Sequence, residues 1–233
     1  MQNRFEWGPD LWKSALQDGA LVRRRAREQT DVVLHIVESI NPRRILDAGC
    51  GYGRISLELT ERLPDSEILA VDQSASMLKE LARLKNREHV RVIRGNLEQL
   101  PLAAGAVDLV LCVGVIMHVK RERAALAEFV RVLGKQGILV LSYHNLLNPF
   151  AVIFMSTTLI KKSTGYKQSF HFRRFYERFL TDQGYISHVH PALVVPGFTW
   201  PRPLEAAFLR LDASAIRLGY EPILECWAQP LSR

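Results

Sequence analysis

The residues with the clearest chemical potential lie in the stretch ILDAGCGYGR at 45–54, where Gly49, Gly51 and Gly53 alternate with other residues after an apolar run. Glycines in such a turn let bare backbone approach a ligand. A dinucleotide-binding turn would carry a third small residue where this chain has Arg54, and Gly53 falls one place early. A diphosphate also seeks a neutral or positive lip at a helix N-terminus. Asp47 puts a carboxylate on that lip, repelling a diphosphate and attracting a ligand with a positive end. A second carboxylate, Asp72, follows 25 positions later at the end of EILAVD. Such a group can accept hydrogen bonds from both hydroxyls of a ribose. S-adenosylmethionine combines these needs, with an ammonium and a sulfonium at one end and a ribose and adenine at the other.

These residues need strands and helices to position them. Helix-type spacing over 10–40 (Leu11, Ala15, Val22, Val33, Leu34, Val37) ends at Asn41-Pro42. RRILDAG then reads as a strand, and ISLELTERL as a helix stopped by Pro64-Asp65. EILAVD is a second strand, and SASMLKELARLK a helix capped by Ser74 or Ser76. VRVIRG and AVDLVLCVGV are strands, RERAALAEFVRVL is a helix stopping at Gly134, and GILVLSYHN is a strand opening at Gly137. Nearly continuous apolar strands alternating with helices predict an α/β, doubly wound, Rossmann-like and mostly parallel sheet with both faces covered. Beyond 145, YKQSFHFRRFYERFLTDQGY turns helical toward its end, and ISHVHPALVV and PILECWAQ read as strands around a helix, LEAAFLRLDASAIRLGY. The expectation is one domain over 1–233, with an N-terminal helical segment at 1–40 and an inserted lid at 146–175.

Composition narrows the function classes. The chain has 233 residues, 48% hydrophobic and 24% charged, as a globular protein with a real core should. Its greasiest run, LLNPFAVIFMSTTLI, is too short to span a bilayer, and MQNRFEWGPDLWKS lacks the pattern of a secretion signal. A cytoplasmic protein is the expectation. Cys50, Cys112 and Cys226 are too scattered for a disulfide framework or zinc knuckle. The net charge of +7 includes a cluster at Arg23, Arg24, Arg25 and Arg27, read as a solvated helix face. No aromatic residues interleave with it to stack on bases, so nucleic acid is not an expected partner. The CVGV after the fourth strand also lacks the Asn/Asp-Pro-Pro-aromatic signature of base methylation.

ILDAGCGYG, ILAVDQSASML, VRVIRGNLEQLPL and VDLVLCVGVIMHV, in that order, resemble the class I S-adenosylmethionine-dependent methyltransferases. The likeness is to the small-molecule branch that includes quinone-biosynthesis methyltransferases. It spans roughly 41–145 and extends more weakly through SFHFRRFYERFLTDQGY. The resemblance implies that Asp47, Gly49 and Gly51 line the methionine end, with Tyr52 and Gly53 completing the loop. It implies that Asp72 binds the ribose hydroxyls and that Gln73 and Met77 flank the adenine. Asn96 and Leu97 fall where the family usually has an acidic residue on the adenine amine, and Val113 passes near the sulfonium. The implied sheet has seven strands, the last antiparallel, with PILECWAQ in that role.

On the acceptor side, His118 is the candidate base, where the family often places a histidine. Tyr143 and His144 close the fifth strand at the ligand edge, and Phe154, Tyr166 and His171 lie in the insertion. The expected acceptor is a small apolar or aromatic molecule methylated on oxygen, with carbon and nitrogen open. Ile116 and Met117 beside His118 are not metal ligands, so no metal is expected. His188 and His190 share a strand face with no nearby carboxylate in sequence and read as structural. A relative that binds the cofactor without catalysis is the alternative; a nicotinamide dehydrogenase is disfavoured by Asp47 and Arg54. Contact with a membrane surface and the oligomeric state are left open.

Overall fold

The computed structural model describes residues 20–83, 88–148, 151, 168–190, 203–204, 206–207 and 222–228. The chain enters through α1 (Ala20–Ile40), whose Val33, Leu34, Ile36 and Val37 recur at helical spacing and are buried. Asn41, in the left-handed region at φ 48°, ends the helix just before Pro42. Strands and helices then alternate: β1 (Arg44–Ala48), α2 (Arg54–Arg62), β2 (Glu67–Asp72), α3 (Ala75–Arg83), β3 (Val90–Arg94) and β4 (Val107–Cys112). A 3-10 turn (Ile116–His118), α4 (Glu122–Val132), β5 (Leu133–Ser142), α5 (Arg173–Asp182), β6 (Tyr185–His190) and β7 (Ile223–Ala228) follow.

One seven-stranded sheet forms in the order β3-β2-β1-β4-β5-β7-β6. β1 pairs in parallel with β2 and β4, β2 with β3, and β4 with β5. β7 inserts antiparallel to both β5 and β6, in the role expected of PILECWAQ. Chain order reverses between β1 and β4, so the ligand crevice belongs outside their carboxyl ends. β5 opens at Leu133, ahead of Gly137 where the sequence placed it, because Leu133 already pairs with Val107 before the register shifts at Leu109–Ile138.

Side-chain alternation along the strands divides the core into two layers. Leu46, Ala48, Val110, Cys112, Leu139 and Leu141 pack with Ala125, Leu126 and Phe129 of α4 and Tyr176 and Leu180 of α5. Ile45, Ile68, Ala70, Leu109, Leu111 and Val140 face Val33, Leu34, Ile55, Leu59, Leu78 and Leu81 of α1, α2 and α3. Both sheet faces are thus covered, which explains the unbroken apolar reading of the central strands. Among the described residues no helix is long and apolar enough to cross a membrane. Most of the expected 146–175 insertion, including Phe154 and Tyr166, lies outside the described residues. So does most of the helix expected between β6 and β7; its described Leu204, Ala206 and Ala207 are helical.

Candidate active site

Parallel pairing brings the ends of β1 and β2 together, and the glycine turn is stitched across them. The backbone N–H groups of Gly49 and Cys50 both donate to the Val71 carbonyl, at 2.7 and 3.1 Å. Gly51 N–H donates to Oδ2 of Asp72 at 2.9 Å, and Ser74 N–H to its Oδ1 at 2.8 Å. Asp72 therefore fixes the loop and the entry to α3 with one carboxylate. Ser74 caps that helix, its Oγ accepting from Met77 N–H at 3.4 Å.

Asp47 alternates onto the face covered by α2 and is 4% exposed. Its Oδ2 accepts from the Ser56 hydroxyl at 2.5 Å. Burial raises its pKa to about 6 against the lowering effects of Ser56 and Arg54, and nearby Asp72 adds to the rise. Burial also raises Asp72, opposed by the backbone N–H groups of Ser74, Gly51 and Gln73. The turn thus holds two carboxylates short of water, an environment that a cationic ligand relieves.

The glycines divide by what surrounds them. Gly49 has φ 84°, and a Cβ there would lie 2.5 Å from both γ-carbons of Val115. Gly53, at φ 92°, heads α2, and a Cβ there would overlap Leu81. Gly51, at φ 57°, has nothing within 4 Å of where a Cβ would stand. The first and last glycines let the loop pack close, and the middle one faces open space. Arg54, in the place of the absent third small residue, turns away to α1, where Nη1 donates to the Ala26 carbonyl at 2.9 Å and to Thr30 Oγ1.

Beyond Asp72, Gln73 is exposed and Met77 buried at the start of α3. Asn96 is exposed, and its Oδ1 accepts from Glu98 N–H at 3.0 Å in a local turn. The side-chain carbonyl thus closes a local turn and keeps one lone pair for another donor. Leu97 belongs to the core beside Leu100 and Val71, and Val113 is buried at the end of β4. Just beyond, Gly114 N–H donates to the buried Ser142 Oγ at 2.7 Å, tying the β4 loop to β5.

The side expected to meet an acceptor gathers around two imidazoles. His118 closes the 3-10 turn, with its ring 6.3 Å from that of His144. His144 is 4% exposed, tilted against Phe170 at 5.0 Å, with Nδ1 3.0 Å from the Gln168 amide nitrogen. Residues 168–171 cross both strand ends: Ser169 N–H donates to the Met117 carbonyl at 2.9 Å and His171 N–H to the His144 carbonyl at 3.0 Å. Glu122, at the start of α4, receives Tyr176 OH at 2.8 Å and sits 3.2 Å from His171 Nε2. Burial alone would raise the Glu122 carboxyl, but hydrogen bonds from His171, Ser169 and Tyr176 hold it at about 2.

Two residues expected on this side are packed within the fold. Tyr143 is 1% exposed and lies 4.9 Å from the Tyr176 ring, because strand alternation turns it with Leu139 and Leu141 into the core. His171 stacks on Phe175 at 3.9 Å and pairs with Glu122, so its ring is committed within the fold. His188 and His190, read as lacking a carboxylate, have one: Glu225 of β7 reaches His190 Nε2 at 2.8 Å. Among the described residues no group of three such side chains could hold a metal ion. Sequence reasoning missed Ser56, Ser142, Gln168 and Glu122. Of these only Glu122, an acid in a first helical turn, carried a local signal, and it pointed to nothing beyond the helix dipole.

The doubly wound sheet, with β7 antiparallel to its neighbours, thus carries a buried carboxylate before a glycine turn and a second carboxylate at the next strand end. Residues 46–141 match the family described as methyltransferase domain. A malonyl-[acyl-carrier protein] O-methyltransferase of Methylovorus is 33% identical over 130 residues, covering 53% of this chain and 44% of that protein. A ubiquinone/menaquinone biosynthesis C-methyltransferase of Syntrophotalea carbinolica is 35% identical over 109 residues, 46% of each chain. The chain thus matches about half the length of such curated relatives. Magnesium protoporphyrin IX methyltransferase from Synechocystis, solved with bound S-adenosylhomocysteine, shares the fold at TM-score 0.67 and 19% identity over 94% of both chains.

Proposed function

We propose that this protein transfers a methyl group from S-adenosylmethionine to a small, apolar or aromatic acceptor, on oxygen. The observation that carries the reading is the turn after β1, where a buried and a half-buried carboxylate, both with raised pKa values, flank a glycine that faces open space. A cationic amino-acid ligand fits that environment, and a diphosphate does not. Asp47 would take the ammonium, with Gly49, Gly51, Tyr52 and Gly53 forming the cradle. Asp72 would accept from the ribose hydroxyls while keeping Gly51 in place. Gln73, Met77, Asn96 and Leu97 would border the adenine, and Val113 the sulfonium.

When bound, the cofactor supplies a methyl carbon already activated by its sulfonium. The protein's own share is then positioning and exclusion of water. An acceptor oxygen must be held in line with that carbon, and a neutral hydroxyl must give up its proton. His118, in the 3-10 turn that follows β4, would take it. His144 and Phe170 supply a polar tip and an aromatic face beside it. The O-methyltransferase named among the relatives weighs toward oxygen, and the C-methyltransferase leaves the same site open to a carbon nucleophile.

Isothermal calorimetry and thermal shift with S-adenosylmethionine, S-adenosylhomocysteine and NAD test this reading. A ligand at 100 times its Kd stabilises the fold by about 2.7 kcal/mol. Stabilisation by the two sulfur ligands and not by NAD is the expected result; stabilisation by NAD alone overturns it.

A further inference from the structure

We propose that Glu122 is a positioning residue for the acceptor side, clasping residues 168–171 across the ends of β4 and β5 and thereby setting the ring of His144. The inference rests on the methyltransferase reading only for its purpose; the clasp itself is geometry. Glu122 is buried and receives Tyr176 OH at 2.8 Å, with His171 Nε2 at 3.2 Å. The Ser169 hydroxyl lies within reach of it as well, its single proton shared between this carboxylate and the Met117 carbonyl. All three lie 47 to 54 positions further along the chain (169 − 122 to 176 − 122), so one carboxylate gathers a distant segment.

That segment holds both halves of the acceptor wall. Ser169 N–H and its hydroxyl reach the carbonyl of Met117, the neighbour of His118, at 2.9 and 3.2 Å. His171 exchanges backbone hydrogen bonds with the β5 end, donating to the His144 carbonyl and accepting from Leu146 N–H, both at 3.0 Å. Between these anchors, Gln168 and Phe170 reach the imidazole of His144. An amide nitrogen can only donate, so His144 Nδ1 accepts and the neutral ring carries its proton on Nε2. Placed this way, His144 orients an acceptor oxygen as a hydrogen-bond donor, and proton removal falls to His118. The clasp assigns the two histidines different tasks.

The test reads histidine nitrogens directly. In protein labelled with ¹⁵N-histidine, His144 is assigned by its loss in His144→Gln. Its spectrum in the wild type should be that of the Nε2–H tautomer. Glu122→Gln keeps the shape and an acceptor for Tyr176, but presents an amide in place of the anion that His171 and Ser169 share. The His144 signal should then move toward a mixture of tautomers. Gln168→Ala should produce the same change while leaving Glu122 and the melting temperature untouched. S-adenosylhomocysteine affinity should stay within about threefold in both variants, because Asp47 and Asp72 are not disturbed. An unchanged His144 spectrum in folded Glu122→Gln, or an Nδ1–H tautomer in the wild type, overturns the proposal. Should Glu122→Gln fail to fold, Gln168→Ala and Ser169→Ala carry the same test. Absence of S-adenosylhomocysteine binding by the wild type would instead strike the function reading, leaving the clasp to be judged by the spectra.

Discussion

Gly49, Gly51 and Gly53 look alike in sequence and do different work. Each occupies the left-handed region, where an alanine costs about 1 kcal/mol from backbone strain. At Gly51 that strain is the whole cost, since no atom lies within 4 Å of the added methyl. At Gly49 the methyl also meets Val115 at 2.5 Å. Gly49→Ala should therefore lower stability clearly more than Gly51→Ala in urea unfolding, and Val115→Ala should recover part of the loss only for the former. Gly51→Ala should instead tell on ligand affinity, because its methyl projects into the space assigned to the cofactor. Asp47 makes a second prediction. Its carboxyl ionises at about 6 in the free protein, raised chiefly by burial. A cationic ligand binds the ionised form, so S-adenosylmethionine affinity should fall about tenfold per pH unit below 6 and level off above it. Calorimetry across pH 4.5–7.5 checks this, and Asp47→Asn should flatten the profile. The carboxylates were legible from residue type and spacing alone. Ser56 was not, because a serine in the first turns of an ordinary helix carries no mark of the anion it faces.

At the scale of elements, the strand–helix alternation was readable because each central strand is buried on both faces and each helix on one, giving two distinct apolar periods. Element ends were less so. Tyr143 looked like a ligand-edge residue by its position after β5, but the alternation begun at Leu139 carries it into the α5 layer. Contacts between elements distant in sequence left no trace. Arg54 counted against a dinucleotide turn by its type, and in the fold it grips α1 through the Ala26 carbonyl and Thr30. That grip predicts a coupling. Arg54→Met keeps the bulk and removes the donors, and loss of charge-assisted hydrogen bonds costs about 1.5–3 kcal/mol. Hydrogen exchange should show the N-terminal half of α1 losing protection while β1 and β4 keep theirs. Equal loss across the sheet would mean that Arg54 supports the core at large, not this junction.

For the molecule as a whole, two buried acids pull the pH dependence of stability in opposite directions. Glu122 is held at about 2 in the folded state, below its ordinary 4.5, with burial outweighed by hydrogen bonds from His171, Ser169 and Tyr176. Its contribution is fully present above pH 4.5 and is lost as pH falls through 4.5 toward 2. Asp47 is raised from 3.8 to about 6, so the folded state holds its proton more tightly than the unfolded chain. Its effect is the reverse: stability is greatest below pH 3.8 and declines as pH rises through 6. The free protein should therefore have a stability maximum displaced to the acid side of neutrality, where the two windows overlap between pH 3.8 and 4.5. Under the proposed reading, saturating S-adenosylhomocysteine would supply an ammonium to Asp47, so it should remove the decline near pH 6 and leave the acid limb intact. Glu122→Gln should do the opposite, lowering stability at pH 7 by an amount that shrinks as pH drops from 4.5 toward 2. Melting temperatures from pH 3 to 8 for wild type, wild type with ligand and Glu122→Gln resolve the two limbs. A ligand effect confined to the acid limb would place the cation-binding carboxylate elsewhere than Asp47.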